Sequence, residues 1–415
     1  MAFMKTKSRM KITISSPDGL GDFILRIPMI TALREAGHEL QLMLRQPATS
    51  LAGEVFPDLE RHEIAADPYS QQIRKKRNPF RREQEAIRKF RPDLYVTAPF
   101  ALTFFDEVWL ERNKGSVPVA GFTTREDFWP TGTIADPRKL SANFQIRVDV
   151  PVALPELEKN RLLGSVILGR ELPRASPRLE PSRQAIRAAG DILTAHGLEE
   201  GGYWVACVGG RSGLIMKDWG EANWREFLAK VSLEGDGRMI FLGNSKEWGS
   251  IERIRAGISG TVNLASEPPP LAVSLALVAM SRGYLGRDSG VMHLAAAVGC
   301  PILAVYGGGH WGRFPPSSGP AVVVSRFMSC RGCNFSCPHE EPHCVTGIRM
   351  ESILEGWRRL SSVNGVEIIE EEKDPSVDTM TRESARQFAA KDDAARKTKE
   401  AIIRSKGVFG SLFGR

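Results

Sequence analysis

Between Lys11 and Leu44 the spacing of apolar positions changes twice. Lys11–Ser15 (KITIS) is a short run of β type, and Ser16–Asp22 (SPDGLGD) is a loop of turn-forming residues. A helical pattern then runs to about Ala36, where Gly37 stops it, and Glu39–Leu44 (ELQLML) is a second β run. Pro28 suits the first position of that helix, which would leave Asp22 just ahead of it, at the carboxyl edge of the first strand. Leu94–Ala98 reads as a further strand and Pro155–Leu168 as a helix. The proline-rich stretch 169–182 has no periodicity and marks a domain boundary. The alternation then resumes with a strand at Tyr203–Val208, a helix at Glu221–Val231, a strand at Met239–Leu242 and a helix at Leu271–Ser281. From Gly283 to Gly309 the order is strand, loop, helix, strand. Such alternation in both halves predicts an α/β protein of two doubly wound domains facing each other across a cleft. The expected boundaries are a first domain at 1–168, a linker at 169–184, a second domain at 185–365, and a charged linker and tail at 366–415.

Several loops of this pattern carry candidate chemistry. Asp288 and Ser289 occupy the N-cap region of the helix Val291–Val298, Gly290 removes a side chain at its mouth, and His293 lies one turn along on the same side. A helix start of this kind offers unpaired N–H groups and the positive end of a dipole, which suits a phosphate. The alternative is a plain cap with a core histidine. Gly209 ends the strand Tyr203–Val208, and Lys217 lies in the loop that follows. Glu247, three places after Asn244, matches a capping box. Gly19-Leu20-Gly21 resembles the start of a dinucleotide fingerprint, but Ile24 stands where the third glycine belongs, which argues against an NAD enzyme.

Length and composition limit the remaining choices. The 415 residues suffice for two domains and some surplus, and 42% hydrophobic with 25% charged residues is an ordinary globular balance. No apolar run approaches the roughly 20 residues of a membrane-spanning helix, and the N-terminus runs into a strand rather than a signal segment, so a cytoplasmic location is expected. The net charge of +7 favours anionic partners. Its densest contribution lies in 71–91, which includes Lys75 and Arg77. That stretch is either a solvated helix face or an anion cradle for an acceptor. A nucleic-acid binder would call for more aromatic interleaving and a second zinc module, so no nucleic-acid partner is expected.

Taken together and in order, Gly19-Leu20-Gly21-Asp22 with Pro28, Gly209 with Lys217 and Trp219, Gly243 with Glu247, and the run 288–297 (DSGVMHLAAA) resemble the ADP-heptose:lipopolysaccharide heptosyltransferases, glycosyltransferase family 9. Ser289 departs from the family's usual threonine but keeps the hydroxyl. The resemblance implies a GT-B architecture, with an acceptor-binding first domain and a nucleotide-sugar-binding second domain. It also implies inverting transfer without a metal in the chemistry. Lys217 and the N–H groups around Asp288, Ser289 and Gly290 would then stabilise the departing diphosphate. Glu247 would take the ribose hydroxyls, Gly209 would belong to the same donor-binding set, and His293 would reach a phosphate or sugar oxygen. Asp22 would act as general base on the acceptor hydroxyl. The implied partners are an ADP-sugar and an anionic glycolipid or polysaccharide, with peripheral contact at the cytoplasmic face of the inner membrane.

A separate signal is the C-x2-C-x3-C-x6-C spacing of Cys330, Cys333, Cys337 and Cys344, four of six cysteines in one loop. In a reducing compartment this density points to a structural metal, zinc or iron, rather than to disulfides. Cys207 and Cys300 read as packing residues. Residues 367–379 are acidic with no core pattern and read as a linker. Residues 382–406 read as an exposed helix, and the final segment as a frayed or membrane-touching tail.

Overall fold

Apolar runs bounded by turns become strands buried on both faces only if parallel neighbours and helices cover them, and both halves of the chain are built this way. The computed structural model describes residues 9–69, 78–123, 140–209, 215–234, 237–335 and 337–378. The chain divides between Ala175 and Ser176 into two compact units. The first contains β1 (Lys11–Ser16), β2 (Glu39–Leu44), β3 (Glu60–Glu63), β4 (Leu94–Thr97), β5 (Val119–Phe122) and β6 (Ile146–Val148). These form one sheet in the order β3-β2-β1-β4-β5-β6, and all of its pairs are parallel.

The second unit contains β7 (Trp204–Cys207), β8 (Met239–Phe241), β9 (Thr261–Asn263), β10 (Gly283–Arg287), β11 (Ile302–Val305), β12 (Ala321–Arg326) and β13 (Val366–Glu371). Its order, β13-β12-β11-β10-β7-β8-β9, repeats the first sheet's winding with one strand added. Successive residues of these strands feed opposite faces, as the period of two demands. Ala206, Leu285, Leu303 and Val322 join one core with Trp219, Trp224 and Phe227, whereas Val205, Tyr284, Ile302 and Ala321 join the other with Leu277 and Met292. Trp219 is packing rather than chemistry: it is buried, and its indole N–H donates to the Ile348 carbonyl at 2.9 Å.

Two expectations about elements are corrected. The first helix runs over Leu20–Glu35 with Pro28 inside it, so Asp22 sits within its first turn rather than ahead of it. The earlier start follows from local chemistry, because Gly19 is extended and Asp22 Oδ2 accepts the Gly19 N–H at 3.1 Å. The turns around Pro28 bury Phe23, Ile24, Leu25, Ile27 and Met29, which holds the helix together across a residue that lacks an N–H. The acidic stretch read as a linker begins with a strand instead. β13 pairs with β12 from Ala321↔Val366 to Arg326↔Glu371. Its carboxylates have basic partners, Glu367 with Arg359, Glu370 with Arg331, and Glu371 with Arg349. An edge strand needs only one covered face, so a core pattern was absent from its sequence. The helix that opens the second unit begins at Arg183, capped by Ser182, whose hydroxyl accepts the Ala185 N–H.

The loop after β1 is anchored by a buried ion pair. Arg26 gives both terminal nitrogens to the Asp18 carboxylate, and it also donates to Ser16 Oγ and to the Ala98 carbonyl after β4. Arg26 and Asp18 are 1% and 8% exposed, so removing one charge strands the other away from water. Replacing Arg26 with Met, which keeps the side-chain volume, is expected to lower unfolding free energy by about 3–5 kcal/mol, read from urea denaturation. A loss below about 1 kcal/mol would show that the pair does not hold the loop.

Candidate active site

In a doubly wound sheet, ligands collect at the carboxyl edge where the strand order reverses, because the flanking loops diverge to opposite faces there. In the second unit that point lies between β7 and β10. Gly209 follows β7 and Asp288 follows β10. Helical structure begins at Gly290 and runs to Val298. Ser289 is its N-cap: the backbone there is extended, and Oγ accepts the Met292 N–H at 3.4 Å and lies 3.0 Å from the Tyr284 hydroxyl. Gly290 is the first helical residue, so the helix mouth carries no side chain there.

Lys217 ends a short 3-10 turn, and its Nζ lies 2.6 Å from Asp288 Oδ2. Asp288 is buried and Lys217 is mostly so, which places one cation beside the helix's positive end. Asp288 holds the ammonium in position there. Glu247 is fixed by more bonds than the sequence suggested. Its Oε2 accepts the backbone N–H of Asn244 at 3.0 Å and the Asn244 side-chain amide at 2.8 Å, and its Oε1 accepts Arg287 Nη2 at 2.7 Å. The capping-box expectation is corrected in one respect: the reach-back bond to Asn244 exists, but the helix starts only at Trp248, with Glu247 as its N-cap. Gly209 is required by this carboxylate, because a Cβ there would stand 2.7 Å from Glu247 Cβ.

His293 is 2% exposed, and its Nδ1 is buried without a hydrogen-bond partner. Burial lowers its pKa to about 4, against the pull of Asp288 and with a smaller push from Lys217. The ring is therefore neutral at neutral pH and able to offer one N–H and one lone pair. In the first unit Asp22 lies beyond the carboxyl end of β1, at the corresponding reversal between β1 and β4.

Lys75 and Arg77 lie outside the described residues, as does the tail from 379 onward. Cys330 and Cys344 are buried, and Cys333 and Cys337 are half-buried. Burial, with a smaller push from the thiols of Cys333, Cys344 and Cys337, raises the thiol pKa of Cys330 to about 12. Among the described residues, however, no group of three or more His, Cys, Asp or Glu side chains is placed to hold a metal ion, so a ready tetrahedral site is not present. Cys207 and Cys300 are buried, with thiol pKa values raised by burial to about 12 and about 11.

Sequence reasoning passed over Arg287, whose pairing with Glu247 joins the ends of β10 and β8. It also passed over Arg26. Both are single basic residues inside apolar segments, a signal that calls for a buried carboxylate partner.

The model of glycosyltransferase family 9 (heptosyltransferase) matches residues 126–341, more than half of the chain. The chain belongs to that family. Lipopolysaccharide heptosyltransferase 1 of Pseudomonas aeruginosa is 27% identical over 264 residues, which is 62% of this chain and 64% of that relative. The matched region thus spans less than two thirds of that relative's length. Among solved structures, the family 9 glycosyl transferase of Veillonella parvula superposes with a TM-score of 0.68 at 14% identity, covering 86% of this chain and 99% of the other. The ADP-heptose lipopolysaccharide heptosyltransferase II of E. coli gives 0.61 at 20% identity, covering 85% and 98%. The fold of this family 9 chain is accordingly the two-Rossmann GT-B fold.

The buried neutral His293 ties the site to pH. An unfolded histidine takes up a proton near pH 6.5, whereas the folded ring does so only near pH 4. Stability from this group is therefore full above pH 6.5 and is lost on acidification between those values. His293→Gln is expected to flatten the fall of unfolding free energy over that window by up to about 1.4 kcal/mol per pH unit, measured by denaturant titration at several pH values. An unchanged slope would mean that the ring is already charged in the folded chain.

Proposed function

We propose that this family 9 chain transfers a heptose, with inversion, from an ADP-sugar to a hydroxyl of a lipopolysaccharide core or related acceptor. The observation that carries the reading is the Lys217–Asp288 pair beside the Ser289-capped helix mouth, at the point where the second sheet reverses its winding. Transfer from a sugar diphosphate builds negative charge on the leaving group. A cation and helix N–H groups already fixed in place stabilise that charge without reorganising. Glu247 and Arg287 supply the rigid polar pair for the ribose, and the E. coli structural neighbour is named for an ADP-heptose donor.

Asp22 is the proposed general base. A sugar hydroxyl is too weak an acid to attack at neutral pH unaided, and a carboxylate held in the first turn after β1 can take its proton as the new bond forms. The alternative, a helix cap, has support in the Gly19 N–H bond, and the two roles are compatible because a carboxylate accepts several hydrogen bonds. Lys75 and Arg77 are proposed for the anionic acceptor. A lipid-linked acceptor would place the work in the cytoplasm at the inner membrane. Among the described residues no helix is long and apolar enough to cross a membrane.

Asp22→Asn keeps the shape and the bond from Gly19 but removes the basicity. It is expected to fold and bind ADP like the parent while transferring sugar about 10²–10⁴-fold more slowly, read by single-turnover kinetics beside calorimetric ADP binding. Turnover within a few fold of the parent would reduce Asp22 to a cap, and a parent that binds UDP in preference to ADP would overturn the donor.

A structural zinc or iron at Cys330, Cys333, Cys337 and Cys344 belongs to the same proposal. Its support is the crowding of four thiols, three of them with pKa values of about 11 to 12, which a cation would lower by taking the thiolates as ligands. Elemental analysis of chain prepared without added metal is expected to find about one ion per chain, and Cys333→Ser to lower stability without changing ADP affinity. Metal-free chain of normal stability would dispose of the site.

A further inference from the structure

Along the carboxyl edge of the second sheet, β12, β11, β10, β7 and β8 follow one another, and the loop after each delivers a different kind of side chain. Glu247 follows β8. Lys217 follows β7, and Asp288 and Ser289 follow β10. His310 follows β11, and Phe335 follows β12. Neighbouring strands lie about 4.8 Å apart, so the four intervals span roughly 19 Å, the scale of an extended nucleotide-sugar. The row is graded in chemistry. One end has a carboxylate suited to ribose hydroxyls, the middle has a cation and helix N–H groups suited to a diphosphate, and the other end is aromatic. The proposed donor assignments occupy only the first two parts.

The aromatic end is tightly held. Asn334 and Phe335 both have left-handed backbone, with φ of 50° and 65°, a conformation that a bulky side chain rarely adopts. Residues held this way gather at functional sites, where the surroundings over-determine them. Here Gly332 N–H donates to the Gly308 carbonyl at 2.7 Å, Asn334 N–H to the Gly309 carbonyl at 3.0 Å, and Asn334 Oδ1 lies 3.0 Å from His310 Nε2. The Phe335 ring stands 4.2 Å from the His310 ring, with the Lys217 ammonium 5.4 Å from its centre. A Cβ on Gly309 would fall 2.6 Å from the Phe335 ring, so the glycine loop after β11 is shaped to that side chain. Yet Phe335 is only half-buried and is not among the residues of the two core clusters described above. The ring contacts continue from His310 to Phe314 and from Phe314 to His293, the histidine with the unpartnered buried nitrogen.

We infer that Phe335 contacts the transferred sugar of the donor and sets which sugar is accepted. A pyranose presents C–H bonds on a face and hydroxyls at its rim. A fixed aromatic face takes the former and excludes water, and the polar groups beside it read the latter. Lys217, shared between the Phe335 ring and the diphosphate, places that sugar next to the phosphate it leaves. The inference rests on the donor site proposed above and adds the sugar subsite to it.

Titration calorimetry of the parent, Phe335→Ala and Phe335→Tyr with ADP and with ADP-heptose tests it. Phe335→Ala is expected to weaken ADP-heptose about tenfold while leaving ADP within about twofold, and Phe335→Tyr, which keeps the ring, to restore the difference. Circular dichroism establishes that each variant is folded, and Phe335→Asn, which tolerates left-handed backbone, replaces the alanine variant if that one is not. Equal losses for ADP and ADP-heptose would mean that the ring only steadies Lys217. Unchanged affinity for both would mean that it touches no sugar, and either result overturns the inference. A parent that binds neither ligand overturns the donor reading beneath it instead.

Discussion

The reversal of strand order is the constraint on which the sites depend. Parallel strands need crossover helices, and right-handed crossovers send the chain to opposite faces on either side of the first strand laid down. The loops after β1 and β4, and those after β7 and β10, therefore diverge and leave backbone groups at the sheet edge without a covering layer. Asp22, Gly209, Lys217, Asp288 and Ser289 all fall on loops or first turns that start at such a point. None of them needs an unusual backbone to get there, since the winding of the sheet has already brought the loops together.

What the winding leaves undone, buried charge pairs complete. A loop at a sheet edge has few apolar contacts, so its shape depends on polar anchors. Asp18–Arg26, Asp288–Lys217 and Glu247–Arg287 each tie a loop to a neighbouring strand end or turn. Such pairs cost desolvation and contribute little net stability compared with apolar residues of equal size. They do something an apolar anchor cannot: they fix a charge in a known place, the arrangement that lets a charged ligand be met without rearrangement. Two of the pairs also join segments distant in sequence, Glu247 and Arg287 being 40 residues apart, whereas Asp18 and Arg26 are 8 apart.

That distance explains what could be read from the residues alone. Strands and helices follow local periodicity, and β1, β2, β4, β7, β8, β10 and β11 were legible to within a few residues, as was the helix after Ser289 with its cap, whereas the short runs of β3, β5, β6, β9 and β12 were not singled out. Pro28 misled because proline is a strong local signal, while the Gly19–Asp22 bond and the burial of Phe23 and Ile24, which decide where the helix starts, depend on context. β13 was missed for the opposite reason. An edge strand of Glu and Ile has almost no pattern of its own, and its structure comes from pairing with β12. Glu247 was singled out through its loop position, but its partner Arg287 ends a strand, where only its isolation as a basic residue in an apolar segment marks it. The cysteine spacing spoke for a metal, whereas ligation requires convergence of side chains, and spacing along the chain does not report convergence.

The glycines show the same division from the other side. Gly209 is fixed by Glu247, whose Cβ would lie 2.7 Å from an added methyl, and Gly309 by Phe335, whose ring would lie 2.6 Å away. In both places the absence of one side chain makes room for another that arrives from a different loop, so the glycine and that residue form a pair although they are 38 and 26 positions apart. A substitution at either glycine would therefore act through the residue it displaces, with little change in local backbone preference, since neither glycine has the left-handed conformation that only glycine favours. The glycine-rich strand ends are thus better understood as moulds for Glu247 and Phe335 than as flexible hinges.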